Sequence, residues 1–199
     1  MNIGIDIDDT ISDTYNTIIP YAQKYTIEDL KRSGDINNRY GTITHKYIQF
    51  MHGWNKEEDL GFWDKYYEEM ISSVKVKPFA KEIIEKLHKD NKIIIITARW
   101  EKENKTIQPI TLKWLKDNEI PYDKIIFDSH EKLETAKENK IDLFIDDSFK
   151  NCKDVSEGGI KTFIMDAMLN RAYNDEKITR VYSWPHIYQE YENILKGDK

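Results

Sequence analysis

Three carboxylates stand close together near the start of the chain, directly after a short aliphatic run. Asp6, Asp8 and Asp9 accompany the alternating isoleucines of residues 3–7, which are typical of a buried strand. Asp6 and Asp8 are two residues apart, so their side chains would share one face of that strand. Such carboxylates repel one another unless positive charge compensates them. The pattern favours a hard cation bound through oxygen, and we expect Mg²⁺; the alternative is an acidic turn in which Asp9 or Thr10 caps the next helix.

Two later aliphatic segments also end in polar residues. Thr97 follows the run of isoleucines at 93–96, and the segment 142–146 ends in Asp146, with Asp147 next to it. The carboxyl ends of parallel strands meet at one edge of a sheet, and ligands bind there at the topological switch point. We therefore expect Thr97 and the two acidic groups to converge, although Asp146-Asp147 could instead cap the following helix.

Predicted strands and helices alternate regularly from residue 78 onward, and these elements must position the polar residues. The isoleucine run has little polar alternation, as expected for a parallel strand covered on both faces. Alternating strands and helices predict an α/β fold, with a Rossmann-like parallel sheet, flanking helices and right-handed crossovers. Further strands are predicted near residues 93–97, 124–127, 142–146 and 161–165, with an edge strand near 181–184. Helices are predicted near 78–91, 106–119 (with Leu112 and Leu115 inward), 131–139, 149–157 and 185–195.

The segment between the first strand and residue 76 has a different character. Helical patterns are present at residues 12–25 and 56–73, and the segment 14–75 has many aromatic residues and no clear strand. We expect this segment to form a small helical cap inserted after the first strand. The predicted α/β core then comprises residues 1–13 and 76–199.

Composition narrows the class of protein. The 199 residues carry a net charge of −6, which argues against a general affinity for nucleic acid polymers or anionic membranes. A single cysteine, Cys152, excludes an intramolecular disulfide and a multi-cysteine zinc site. Acid appears by residue 6 before any long apolar stretch, which does not fit a secretory signal. These features predict a cytoplasmic globular protein.

In their order along the chain, the polar strand ends resemble the motifs of a known enzyme superfamily. Asp6-x-Asp8-x-Thr10, Ile96-Thr97-Ala98-Arg99, a lysine, and Ile145-Asp146-Asp147 are similar to the four motifs of the haloacid dehalogenase (HAD) superfamily of phosphotransferases. The resemblance implies a HAD-like fold. The presence of Asp8 argues for a phosphatase, because dehalogenases of the superfamily lack this second aspartate and use no metal.

The resemblance also implies roles for the acidic residues. Asp6 would be the nucleophile that forms an aspartyl phosphate. Asp8 would protonate the leaving alkoxide and then activate the hydrolytic water. Mg²⁺ would lie between the Asp6 carboxylate, the Asp8 backbone carbonyl and Asp146. Asp147 would complete the shell directly or through water, and the sequence does not decide which.

Further positions of the motifs are candidates for contact with the phosphate. Thr97 would hydrogen-bond a phosphoryl oxygen, and Thr10, Ala98 and Arg99 are further candidates for substrate binding. The stabilising lysine is expected to be Lys132, at the start of the helix before the acidic pair; Lys137 and Lys140 are its competitors in the same lysine-rich segment.

The helical cap resembles that of the 5'(3')-deoxyribonucleotidases. Gly61-Phe62-Trp63 and Pro78-Phe79-Ala80 are similar to segments of that family, whose cap aromatics hold the base of a pyrimidine nucleoside monophosphate. Phe62 and Trp63 are therefore candidates for base stacking, with Tyr40 and Trp54 behind them; the alternative is that these rings form the core of the cap. The chain departs from the animal enzymes at Ala98-Arg99, where they have serine after the threonine.

We therefore expect a Mg²⁺-dependent phosphomonoester hydrolase, resembling the 5'(3')-deoxyribonucleotidases and acting on (deoxy)nucleoside monophosphates. One alternative is a phosphatase for another small ester, such as a sugar phosphate. An alternative of a different class is a non-catalytic module that binds a phosphorylated ligand. The expected partner is a small-molecule phosphate ester, and a homodimer is left open.

Overall fold

The computed structural model describes residues 1–36, 47–99 and 107–197. Within these ranges, six strands form one parallel sheet: β1 (Asn2–Ile5), β2 (Lys92–Ile96), β3 (Lys124–Ile126), β4 (Leu143–Asp146), β5 (Lys161–Met165) and β6 (Ile178–Val181). Their order across the sheet is β3-β2-β1-β4-β5-β6. This arrangement confirms the predicted parallel α/β sheet, with β1 in its interior.

Helices flank the sheet and fill the segment after β1. They are α1 (Thr14–Lys24), which continues as a π-helical turn over Tyr25–Asp29, α2 (Tyr47–His52), α3 (Lys56–Ser73), α4 (Ala80–His88), α5 (Ile107–Asp117), α6 (Lys132–Glu138), α7 (Phe149–Glu157) and α8 (Trp184–Lys196). Among these helices we find none with the length and apolar character of a membrane span.

Both faces of the sheet are buried, which explains the unbroken aliphatic character of the strands. Ile3, Ile5 and Ile95 pack with residues of α4 and α8 on one face, whereas Ile96 and Phe144 pack with α6 and α7 on the other. At Gly4, a Cβ atom would lie 3.1 to 3.2 Å from side-chain carbons of the second group. Glycine therefore allows this face to close tightly over β1.

Two local predictions were wrong. The last strand ends at Val181, and Trp184 begins α8 instead of extending the strand. Ser183 caps that helix by accepting a hydrogen bond from the backbone of His186, a local interaction that competes with strand pairing. Leu112 is 39% exposed.

The position of Leu112 follows from the face by which α5 docks. Ile107, Thr111, Trp114 and Leu115 are the buried residues of this helix, with the spacing of a single apolar stripe. Leu112 lies just outside the stripe and projects toward solvent, whereas Leu115 is inward as expected.

Helices α1 to α3 surround a hydrophobic cluster of their own, which includes Ile18, Tyr25, Trp54, Phe62 and Tyr66. The two chain segments that join these helices to the sheet are paired with each other. Backbone hydrogen bonds of 2.8 Å run from Asp13 to Lys75 and from Lys77 to Ile11. The division into a cap of residues 14–75 and a core of 1–13 and 76–199 stays a prediction.

Candidate active site

A cleft opens at the carboxyl ends of β1 and β4, which are adjacent in the sheet although β2 follows β1 in the chain. This is the topological switch point, where ligands bind in folds of this type. The cleft has a volume of about 220 Å³ and is lined by Asp6, Asp8, Tyr67, Ala98, Arg99, Lys132, Asp146, Asp147, Ser148 and Asn151.

Among the described residues, Lys132 is the lysine that lines this cleft. It begins α6, is 3% exposed, and its Nζ donates a hydrogen bond of 2.7 Å to Asp6 Oδ1. A second hydrogen bond from Nζ goes to the carbonyl of Ile96. Lys137 and Lys140 are exposed, so the geometry favours Lys132 among the three candidates.

The ion pair of Asp6 and Lys132 lies in a buried, negatively charged environment. Burial, opposed by Lys132 and reinforced by Asp146, raises the pKa of Asp6 to about 7. Burial on its own would lower the pKa of Lys132, but the charges of Asp6 and Asp146 outweigh it and raise that pKa. Lys132 therefore places a positive charge beside the proposed nucleophile.

Arg99 holds Asp8 on the other side of the cleft. Arg99 Nε lies 3.0 Å from Asp8 Oδ2, and Nη2 lies 2.7 Å from Asp8 Oδ1. Thr14 donates a third hydrogen bond to Asp8 Oδ1 at 2.8 Å. Burial would raise the pKa of Asp8, but the charge and hydrogen bonds of Arg99 outweigh it and hold the pKa below its usual value. Asp8 is therefore ionised in this conformation.

Three carboxylates form a compact group that can hold a cation. Oxygen atoms of Asp6, Asp146 and Asp147 all lie within 4.8 Å of one another. The Asp146 carboxylate is oriented by the backbone N–H of Ser148 at 2.7 Å and by Asn151 Nδ2 at 3.1 Å. These carboxylates come from the ends of two neighbouring strands.

The charge of this group also fits a cation. Burial raises the pKa of Asp146, and burial together with Asp9 and Asp146 raises that of Asp147 well above its usual value. Lys132 pairs with Asp6, whereas Asp146 and Asp147 have no ion pair with any residue in the described ranges. Negatively charged oxygen donors are the ligands that Mg²⁺ prefers. The side chains present therefore fit the expected metal.

Asp9 has a different role from Asp6 and Asp8, its neighbours in the first motif. Asp9 has a left-handed backbone with φ of 52°, and its Oδ1 accepts a hydrogen bond of 2.9 Å from Tyr15 N, in the first turn of α1. Asp9 thus satisfies a backbone donor in the first turn of α1, whereas Asp13 occupies the N-cap position itself. Asp6 and Asp8 line the cleft.

The two threonines of the motifs lie behind the cleft surface. Thr97 is fully buried, and its Oγ1 accepts a hydrogen bond of 3.2 Å from Arg99 N. Thr10 is also fully buried; its hydroxyl has no hydrogen-bond partner in the described structure, and its carbonyl accepts one from Trp184 Nε1. The cleft lining includes Ala98 and Arg99 but neither threonine.

The sequence left two places open for the cap aromatics, the substrate site and the core of the cap. Phe62 is completely buried within the cluster of α1 to α3, and the partly buried Trp63 donates its indole N–H to Asp59. Neither ring lines the cleft, whereas Tyr67 does. Trp54 also lies in that cluster, and Tyr40 falls outside the described residues.

Sequence reasoning did not single out Tyr67, Thr14 or Asn151. The spacing of Phe62, Tyr66 and Met70, which are buried in α3, would have assigned these rings to the cap core and left Tyr67 on the adjacent face. Asn151 lies in the first turn of the helix after the acidic pair, where a polar side chain can turn back to the strand end. For Thr14, no local signal points to Asp8.

Comparisons with known proteins agree with this geometry. Residues 1–195 match the family model described as 5' nucleotidase, deoxy (pyrimidine), cytosolic type C protein. A nucleotidase of Clostridium acetobutylicum is 33% identical over 196 residues, which cover 94% of this chain and 92% of the relative. The Bacillus subtilis protein YqfW is 28% identical over 198 residues, or 97% of this chain and 94% of the relative.

Solved structures reveal the same fold. A haloacid dehalogenase-like family hydrolase of Streptococcus pneumoniae superposes with a TM-score of 0.67 at 17% identity, covering 96% of this chain and 97% of that chain. At this identity the likeness establishes the fold alone, and it confirms the HAD-like form of the predicted α/β architecture.

Proposed function

Because the chain belongs to the 5' nucleotidase, deoxy (pyrimidine), cytosolic type C family and is a phosphoric monoester hydrolase, we propose that it dephosphorylates (deoxy)nucleoside monophosphates in a Mg²⁺-dependent reaction. The resemblance to HAD phosphatases that the motifs indicated is confirmed by the family match. The name of that family also supports a cytoplasmic location for this enzyme.

The observation that carries the proposal is the buried contact between Lys132 and Asp6, beside Asp146 and Asp147. A carboxylate attacks phosphorus only where another group reduces the repulsion between the two anions. Lys132 supplies one fixed positive charge at that point. When bound by Asp6, Asp146 and Asp147, Mg²⁺ would supply the rest by neutralising charge on the phosphoryl oxygens.

Asp6 is assigned as the nucleophile and Asp8 as the acid and base. A bond forms between an Asp6 oxygen and phosphorus while the bond from phosphorus to the leaving oxygen breaks. Asp8 gives its proton to that oxygen, so the product leaves as an alcohol. Asp8 then takes a proton from water, which attacks phosphorus and releases Asp6 and inorganic phosphate.

Arg99 connects substrate binding with the state of Asp8. Arg99 lines the cleft, and its guanidinium is paired with Asp8. A phosphate anion entering the cleft competes with the Asp8 carboxylate for the same donors, since guanidinium binds both in a bidentate manner. Substrate would thus loosen the hold on Asp8 and allow it to be protonated.

The cap is proposed to select the substrate. Among the described residues of the segment 14–75, Tyr67 is the aromatic residue that lines the cleft, together with Asp8 and Arg99. An aromatic ring in this position can contact the sugar or base of a nucleotide. The name of the family, which specifies deoxy and pyrimidine, supports deoxypyrimidine nucleoside monophosphates as the first substrates to examine.

The test is phosphate release from a panel of compounds, each with Mg²⁺ and with a chelator. The panel comprises deoxy- and ribonucleoside monophosphates, sugar phosphates and an aryl phosphate. We expect Mg²⁺-dependent turnover with preference for deoxypyrimidine monophosphates. Preference for sugar phosphates would overturn the proposed substrate class. Full activity in the presence of chelator would overturn the proposed role of the metal. A folded, metal-supplied protein that binds these esters without turnover would instead be a binding module.

A further inference from the structure

Asn170 connects the loop after β5 to the acidic strand end. It is 2% exposed, and its amide Nδ2 donates hydrogen bonds of 2.7 Å to the backbone carbonyls of Asp147 and Met165. Both N–H groups of the amide are thereby used. Asp147 follows β4, and Met165 ends β5, so this one side chain joins the ends of two neighbouring strands.

Arg180 determines which way the Asn170 amide faces. Arg180 Nη1 lies 2.6 Å from Asn170 Oδ1, and the backbone N–H of Ala167 donates to the same oxygen at 3.2 Å. A guanidinium has donors and no acceptor. If the Asn170 amide were rotated by 180°, its NH₂ group would face the N–H groups of Arg180, and no hydrogen bond could form between them. The Asn170 nitrogen is therefore held toward Asp147.

Arg180 is itself fixed by the loop that it crosses. Its other hydrogen bonds go to Asp166 Oδ1 at 3.0 Å and to the carbonyls of Asn170 and Tyr173 at 3.0 and 2.6 Å. Once several hydrogen bonds hold a guanidinium in place, each further hydrogen bond costs little additional conformational entropy. The loop therefore presents Asn170 to Asp147 as a rigid support.

We propose that Asn170, oriented by Arg180, is a positioning residue for the metal site: it fixes the Asp147 backbone so that the carboxylate of Asp147 stays beside those of Asp6 and Asp146. The inference rests on the proposed function, since it assigns a support to the metal site proposed there. Neither Asn170 nor Arg180 lines the cleft, so their effect on the reaction is exerted through Asp147.

The consequence is a change in metal affinity. The Asp147 peptide would lose its donor in Asn170→Ala, and the carboxylate would have more orientations to lose on binding Mg²⁺. Arg180→Lys keeps the charge but cannot bind all of these acceptors, so the Asn170 amide is held less firmly, with the Ala167 N–H as the remaining backbone donor to its oxygen. Loss of an outer contact to a metal ligand weakens binding by about 10- to 100-fold, and we expect this range for both variants.

The experiment is calorimetric titration of the metal-free full chain with MgCl₂, in parallel with circular dichroism to establish folding. The matched control is Arg171→Ala, which removes an exposed ion pair to Asp166 in the same loop and leaves Asn170 untouched. We expect weaker Mg²⁺ binding in Asn170→Ala and Arg180→Lys and wild-type affinity in the control.

Kinetics provides a second readout. A pure positioning defect raises the Mg²⁺ concentration for half-maximal phosphate release, while kcat returns at saturating Mg²⁺. General damage to the fold would lower kcat at every metal concentration.

Unchanged Mg²⁺ affinity in a folded Asn170→Ala protein would overturn the inference. If that variant does not fold, Arg180→Lys decides in the same way. A wild-type protein that binds no Mg²⁺ would overturn the metal site itself together with its support. The two outcomes differ in the wild-type protein: it binds Mg²⁺ if only the role of Asn170 is wrong, and it does not bind Mg²⁺ if the proposed metal site is wrong.

Discussion

Arg99 binds both carboxylate oxygens of Asp8, a residue 91 positions earlier in the chain, at 3.0 and 2.7 Å. Arg99 is 3% exposed, and its remaining nitrogen, Nη1, donates to Thr111 Oγ1 at 3.2 Å. The proposed acid and base is thus paired as an anion with a residue that also lines the cleft. Arg99 has two competing partners, the Asp8 carboxylate and the expected phosphate.

Changing Arg99 should affect catalysis in a graded manner. Arg99→Lys keeps the positive charge but loses the bidentate contact with Asp8. Arg99→Gln loses the charge and the bidentate contact. We expect kcat/KM to fall by about 10²-fold in Arg99→Gln, with an intermediate loss in Arg99→Lys. Steady-state kinetics on an aryl phosphate would measure this, with the exposed Lys116→Gln on α5 as control. Wild-type kcat/KM in Arg99→Gln would contradict the proposed role.

Asp6→Asn should abolish turnover without unfolding the protein. The amide has nearly the shape of the carboxylate but is not a nucleophile, and it still accepts a hydrogen bond from Lys132. We expect kcat to fall by about 10³-fold or more, measured by single-turnover phosphate release. Asp90→Asn, an exposed position in the turn after α4, serves as control for the loss of one negative charge. Substantial residual activity in Asp6→Asn would transfer the nucleophile role elsewhere.

Phe62 and Tyr67 should give different kinds of defect. Phe62→Ala leaves a cavity in the cap cluster and should reduce the free energy of unfolding by about 3–5 kcal/mol, with the same proportional loss of activity on every substrate. Tyr67→Ala should lower kcat/KM for nucleotides more than for an aryl phosphate, because its ring lines the cleft.

Denaturant unfolding and the two-substrate comparison together measure this difference. Trp63→Ala, beside Tyr67 on α3, indicates whether the second predicted ring contributes to nucleotide preference. A selective loss of nucleotide activity in Phe62→Ala would return that residue to substrate binding, as the sequence predicted.

His52 should make the cap sensitive to acid. The single hydroxyl proton of Thr26 is donated to the Ala22 carbonyl at 2.8 Å, so His52 Nδ1 is the donor in its 3.3 Å contact with Thr26. His52 Nε2 then carries a lone pair, is buried and has no hydrogen-bond partner in the described structure. Burial lowers the pKa of His52, because charging the ring would leave an unpaired cation in the cap.

The expected pH dependence follows from that lowered pKa. The unfolded chain takes up the proton near pH 6.5, before the folded chain does, so the neutral ring contributes stability above this pH and loses it as pH falls. Between pH 7.5 and 5 the wild type should lose stability more steeply than His52→Asn, by at most about 1.4 kcal/mol per pH unit. Urea unfolding across this range would measure the difference, and parallel curves would contradict it.

Local patterns along the chain were sufficient for the sheet and for the acidic residues of the site. The isoleucine runs beside Asp6 and Thr97 have the composition of strands buried on both faces, which depends only on neighbouring residues. Parallel strands present their carboxyl ends at one edge, so polar residues that end such strands are brought to the same place. For this reason the convergence of Asp6 and Asp146 was predictable.

The partners of these residues were decided by tertiary packing. Lys132, Lys137 and Lys140 are equivalent by type, and only the docking of α6 brings the first of them to Asp6. On α3, adjacent residues differ by about 100° around the axis, so the way the helix packs determines that Phe62 is core while Tyr67 faces the cleft. The contacts of Arg99 with Asp8 and of Asn170 with Asp147 join residues distant in sequence. Periodicity reports which face of an element is buried, whereas the choice of a hydrogen-bond partner depends on distances that exist only once the elements have packed together.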